Sequence, residues 1–227
     1  PSVSMVETKP DDLQLTESQL NNLEKQISNL QYSFNTKNPA IFTGEKIYSD
    51  ISKKTLAVYS GEFGIERKNN FVGYRFDLKQ VEDGSPGLMW KKLGKDVNSF
   101  VLSFVDENNA IDITGDSGDV PPVKIFSSVL NNTLDLVNKK RKVDFVPDEN
   151  NIEGSSELPI DIDVIVFSAR EDSRIRLYKS LANKLAKELG GTYRIEEDVV
   201  DEQAVFFVGP NKILEKEELF EQKTDDL

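Results

Sequence analysis

Apolar residues first settle into a rhythm in LQLTESQLNNLEKQISNLQYSF. Leu13, Leu20, Ile27 and Phe34 stand seven apart, and Leu23 and Leu30 fill the intervening heptad position. Thr16, three residues before Gln19, makes a capping-box pattern, in which each side chain bonds the other's backbone N–H. The spacing predicts a helix over roughly 16–33 with a narrow apolar stripe. Such a stripe suits a coiled-coil seam or a partner helix, with Leu20, Leu23, Ile27 and Leu30 as the contact residues. It equally suits a helix that packs on its own domain, and the pattern alone leaves both open.

Residues 35–97 are less regular. Asn38-Pro39 breaks any helix. KTLAVYS fits a strand or a short helix, and FVGYRFDLKQV alternates through Phe71, Tyr74, Phe76 and Leu78 as a strand does. GLMWKKL carries the single Trp, Trp90, as a core or seam residue.

From residue 98 the pattern sharpens. Two strands, Phe100–Val105 and Ala110–Thr114, flank a DENN turn. PPVKIFSSVLNNTLDLVNKK repeats apolar residues at Val123, Ile125, Phe126, Val129, Leu130, Leu134 and Val137, a helical spacing. DIDVIVFSA is a buried strand, Ser168 to Leu189 a second helix ended by Gly190-Gly191, and TYRIEED and QAVFFVG two further strands. The order β-β-α-β-α-β-β predicts an α+β domain, a mixed sheet with packed helices, preceded by the N-terminal helix. Four parts follow: a tail and heptad helix over 1–34, a β-rich part over 35–97, a core over 98–210 with a polar insertion at 147–159, and an acidic tail over 211–227. The basic run at 139–142 follows a helix C-terminus, where cations oppose the dipole.

The junction VIVFSAREDSRIRLYKSL invites a functional reading. Ser168 and Glu171 have capping-box spacing, and Asp172 adds an acid where the helix dipole favours one. Ile175, Tyr178, Leu181, Ala182 and Leu185 form the expected buried face, with Arg170, Arg174 and Lys184 away from it. Arg170 and Arg174, one turn apart, are a candidate anion grip. Tyr178 is the candidate general acid, against the plainer reading of a core tyrosine.

Composition removes much chemistry. The 227 residues contain no Cys and no His. Disulfides, thiolate nucleophiles, Cys/His zinc sites and a Ser-His-Asp triad are therefore excluded. A net charge of −12 opposes general nucleic-acid binding and anionic membranes. No run approaches a membrane span, and the polar start lacks a signal-segment pattern. Asp112, Asp116 and Asp119 lack the closing glutamate of a calcium loop and read as a solvated turn, so no metal site is expected.

With this order, residues 98–210 resemble the core of the GNAT-type N-acetyltransferases. The hairpin, the loop Thr114-Gly-Asp-Ser-Gly-Asp119, the helix from Pro121, and SRIRLYKSLANKLAKELGGTY with Tyr178 in the family tyrosine's place carry the likeness. ITG-x-x-GD, IFSSV, VIVFSA and SRIRLY are also similar to a divergent group of uncharacterised bacteriophage proteins. The resemblance implies acetyl-CoA as cofactor, its pyrophosphate on the loop of Gly115 and Gly118, and Tyr178 as proton donor. Asp116 and Asp119 depart from that pattern by adding negative charge, and Pro121 and Pro122 by removing N–H donors. The expectation is thus a non-enzymatic interaction protein. It would be phage-encoded, made in the host cytoplasm and a candidate virion component, meeting protein partners through the heptad helix. The alternative is an N-acetyltransferase with a divergent loop.

Overall fold

The computed structural model describes residues 15–32, 41–49, 54–67, 70–80, 97–106, 122–138, 144–145, 161–200 and 202–214. The expected strand Ala110–Thr114, the loop with Gly115 and Gly118, the three candidate aspartates, Trp90, the basic run, the insertion and most of the acidic tail lie outside them.

The chain forms α1 (Glu17–Ser28), β1 (Ile41–Ser49), β2 (Lys54–Arg67), β3 (Asn70–Gln80), β4 (Ser99–Asp106), α2 (Pro122–Val137) and β5 (Asp144–Phe145). Then come β6 (Val164–Ala169), α3 (Asp172–Leu189), β7 (Tyr193–Val200), β8 (Gln203–Pro210) and the short α4 (Asn211–Leu214). One eight-stranded mixed sheet runs β5-β1-β2-β3-β4-β6-β8-β7. The expected α+β class with packed helices is present. The strand β1 was not foreseen, and it joins β2 and β3 in an antiparallel meander continuous with the rest of the sheet.

Alternation along the strands sorts the core into two sides. Phe100, Leu102, Ile165, Phe167, Ala169, Ala204, Phe206 and Val208 share one cluster with the apolar residues of α1, α2 and α3. Val164, Val166, Val205 and Phe207 face the other way, onto Leu214. Burial on both faces explains why β6 and β8 read as continuous apolar runs rather than alternating ones.

Helix α1 begins as its sequence dictates. The Thr16 hydroxyl accepts from Gln19 N–H at 3.3 Å, and Gln19 Oε1 accepts from Thr16 N–H at 2.9 Å. Its stripe, however, lies inside the chain's own core. Leu20, Leu23 and Ile27 are buried, and Leu30 is half-buried against the same cluster. This corrects the partner-helix reading, because α2 and α3 already cover the face that a partner would need.

The α2 helix is more enclosed than its apolar periodicity suggests. Every residue from Val129 to Leu136 is buried, including Asn131, Asn132, Thr133 and Asp135. A buried carboxylate needs hydrogen bonds, and Asp135 Oδ1 accepts one from the Tyr32 hydroxyl at 2.7 Å. That bond fastens the end of α1 to α2. At the far end of α3, Gly190 takes φ 107°, a conformation that favours glycine, and stops the helix as expected.

Candidate functional site

The region of interest is where β6 hands over to α3. Ser168 does not cap the helix. It sits within β6, opposite Val205, and α3 starts only at Asp172 with Glu171 as an N-cap that makes no side-chain cap bond. Strand pairing has claimed Ser168, so its spacing to Glu171 has no capping consequence. Glu171 instead forms an ion pair with Arg174, Oε2 to Nε at 3.0 Å.

This alters the two arginines. Arg174 and Lys184 are buried, not turned to solvent, because α3 is covered by the sheet and by α1. Lys184 pairs with Glu188 at 2.7 Å, one turn on. Arg170 is exposed and turns to β8. With the Gln203 amide oxygen facing it, that oxygen accepts from Arg170 Nε at 2.9 Å and Nη2 at 3.0 Å. Arg170 and Arg174 therefore engage different partners and form no shared anion grip.

The cation that sequence reasoning missed is Arg176. It donates to Glu17 Oε1 at 2.8 Å, to Asn21 Oδ1 at 2.6 Å, and to both carboxylate oxygens of Glu24. These three partners fall at i, i+4 and i+7 on α1, one flank of the helix beside its apolar stripe. Their hydrogen bonds, Glu24 first and Glu17 second, raise the Arg176 pKa further above its usual range. The only sequence signal was that spaced polar flank, with nothing to name a partner some 150 residues away. Nearby, a shallow depression of about 840 Å³ is lined by Glu17, Leu20, Arg170, Asp172 and Arg176, among others. Its charges are mixed, and both arginines already have partners.

Tyr178 lies in the α3 core, its ring centroid 6.2 Å from that of Phe167 on β6. Desolvation pushes its phenol up from 10.0 to about 12, and nearby Arg174 only partly offsets this. The native state thus holds the Tyr178 proton more tightly than the unfolded chain does. The stabilisation this linkage supplies is complete below pH 10 and is lost as pH rises from about 10 to 12. An absorbance titration of the six tyrosines should show a late step near pH 12 that Tyr178→Phe removes; a Tyr178→Phe variant that instead loses amplitude near pH 10 would contradict the burial of this hydroxyl.

The remaining feature is a gap in the sheet. β4 and β6 run parallel and pair only at Ser99↔Val164, Phe100↔Ile165 and Val101↔Val166. A clasp starts them: Asn98 N–H donates to Asp163 Oδ2 at 2.9 Å, and Asp163 N–H to Asn98 O at 3.0 Å. Beyond Val101, β4 continues beside β3 as far as Asp106. Beyond Val166, β6 continues beside β8 as far as Ala169. Among the described residues, no strand pairing links the two facing edges past that point. Tyr178 packs at a tilt against Phe167, which lies on β6 just past Val166.

Among the described residues there is no group of three or more Asp or Glu side chains placed to hold a metal ion. None of the described helices is long and apolar enough to cross a membrane. No family model matches this chain, and no curated protein or solved structure matches it either.

Proposed function

We propose that this chain is a non-enzymatic interaction protein built on an acetyltransferase-like sheet. The observation that carries this reading is the start of α2. The helix opens on Pro122, directly behind Pro121 in the sequence. A phosphate cradled at a helix N-terminus is held by free backbone N–H groups. Two consecutive prolines withdraw two of those donors while favouring helix initiation.

Tyr178 supports the same reading. A free cysteine thiol, a reference for a leaving thiolate, has a pKa of about 8.5, and burial pushes the Tyr178 phenol up to about 12. Proton transfer from that phenol to a thiolate would run uphill. The residue suits packing against Phe167 better than acid catalysis. A phage-assembly or virion setting for the partner rests on the resemblance of ITG-x-x-GD, IFSSV, VIVFSA and SRIRLY alone.

The parting of β4 from β6 favours a second reading, an N-acetyltransferase. Two strand edges that diverge from a short parallel pair leave N–H and C=O groups able to hold an extended amide-bearing arm, such as that of acetyl-CoA. Calorimetric titration of the full chain with acetyl-CoA separates the two readings. No saturable heat at micromolar ligand is expected. Saturable binding would sink the interaction reading and restore the acetyltransferase.

A further inference from the structure

We infer that the outer edge of β7 receives an extended, basic polypeptide segment as an added strand. The inference deepens the interaction reading by giving it a surface and a partner chemistry. Among the described residues β7 ends the sheet, and it pairs with β8 along all its residues, from Tyr193↔Pro210 to Val200↔Gln203.

In an antiparallel pair, alternate residues turn their N–H and C=O toward the partner strand, and the others turn them outward. Two hydrogen bonds fix which residues face out. Tyr193 N–H donates to Gly190 O at 3.0 Å, and Val199 N–H donates to Asp198 Oδ1 at 2.8 Å. Pro210, opposite Tyr193, has no N–H to offer. The odd-numbered residues of β7 therefore face outward, and Ile195 and Glu197 present their main-chain groups along the edge. Asp198 closes the edge at Val199, which centres the opening on Ile195 and Glu197.

Charge selects the occupant. Glu196, Glu197 and Asp198 are consecutive in a chain of net charge −12. Arg194 bridges Glu196 at 2.7 Å and Lys179 bridges Glu197 at 2.5 Å, yet these carboxylates remain near half-exposed, with side-chain exposures of 46% and 42%. A second copy docking edge to edge about a two-fold axis would place acids against acids, which is unfavourable in cross-strand positions. An extended segment rich in lysine or arginine meets both the charge and the main-chain edge, as in other strand-addition complexes.

The probe is a peptide of alternating lysine and valine, about eight residues long to match a typical strand, titrated against the full chain. Saturable binding at low salt is expected, weakening about tenfold or more at roughly 0.5 M salt. Hydrogen exchange at Ile195 and Glu197 should slow in the complex. Glu197→Pro removes an outward N–H without breaking the β8 ladder, and is expected to abolish binding; Glu197→Gln keeps the N–H and should weaken it only in part. The inference is overturned if the peptide does not bind at low salt, if Glu197→Pro binds as well as wild type, or if a glutamate–valine peptide binds equally. Self-association through β7 would overturn it too. Should Glu197→Pro fail to fold, the exchange protection in the wild-type chain decides. Acetyl-CoA binding would remove the interaction reading without touching this edge, so the two failures are distinguishable.

Discussion

Replacing Ile27 by Ala should lower the unfolding free energy of the isolated chain by about 2–5 kcal/mol, the range for emptying a fully buried aliphatic site. Ile27 has 0% of its surface exposed and joins the cluster that also holds residues of α2, α3 and the sheet. The decisive point is that the loss appears without any partner. An Ile27 reserved for a coiled-coil seam would be solvated in the free chain, and its truncation would leave the denaturation midpoint almost unmoved. Urea unfolding of Ile27→Ala against wild type makes the comparison. A lower midpoint with an unchanged slope is expected; coincident curves would return the stripe to the surface.

Gly209→Ala should cost about 1–3 kcal/mol, the usual range for overpacking a core. A methyl group added there would sit 2.9 Å from Val164 Cγ2 and 3.4 Å from the Asp163 carbonyl oxygen. Val164 is β-branched and fully buried, so it has little room to turn aside. Shortening Val164 to Ala removes the obstructing methyl. The double variant Gly209→Ala/Val164→Ala should therefore be less damaged than the sum of its single changes, with a coupling of roughly 0.5–3 kcal/mol. Strict additivity would mean that the two residues do not meet.

What could be read from the residues divides by distance along the chain. Thr16 and Gln19 are three apart, and their reciprocal bonds form as the sequence implies. Ser168 and Glu171 have the same spacing, yet the strand pairing with Val205 takes Ser168 first. Local chemistry was sound in both cases, and a long-range partner decided between them. The succession from β4 through α2, β6, α3, β7 and β8 was legible because α2 and α3 are long and periodic and β6 and β8 are continuous apolar runs. β1 was not, since IFTGEKIYS mixes apolar and polar positions and gains its place by pairing with β2 on one side and β5 on the other.

The site was harder to read for the same reason. Lys184 and Arg174 look solvated from helical spacing alone and become buried once α3 is packed among the sheet, α1 and α2. Arg176 gave no sign of its role, because its acceptors Glu17, Asn21 and Glu24 belong to a helix at the opposite end of the sequence. Tyr178 was placed correctly on the apolar face, but its depth beside Phe167 comes from the tertiary fold.

The three rungs between β4 and β6 bear on how the molecule assembles. On either side of them the sheet is antiparallel apart from the outermost β5, which runs parallel to β1; β1 to β4 form one flank and β6, β8 and β7 the other. β1 to β4, and β6 to β8 with β7, close through contacts between segments near one another in sequence, whereas β5 returns from Asp144 to Thr43 on β1. The clasp of Asn98 on Asp163 spans 65 residues, and contacts of that separation carry a larger loop-closure entropy. The chain is thus organised as two locally folding wings joined along a short seam and by the return of β5 to β1, with α1 laid over α2 and α3 as a brace.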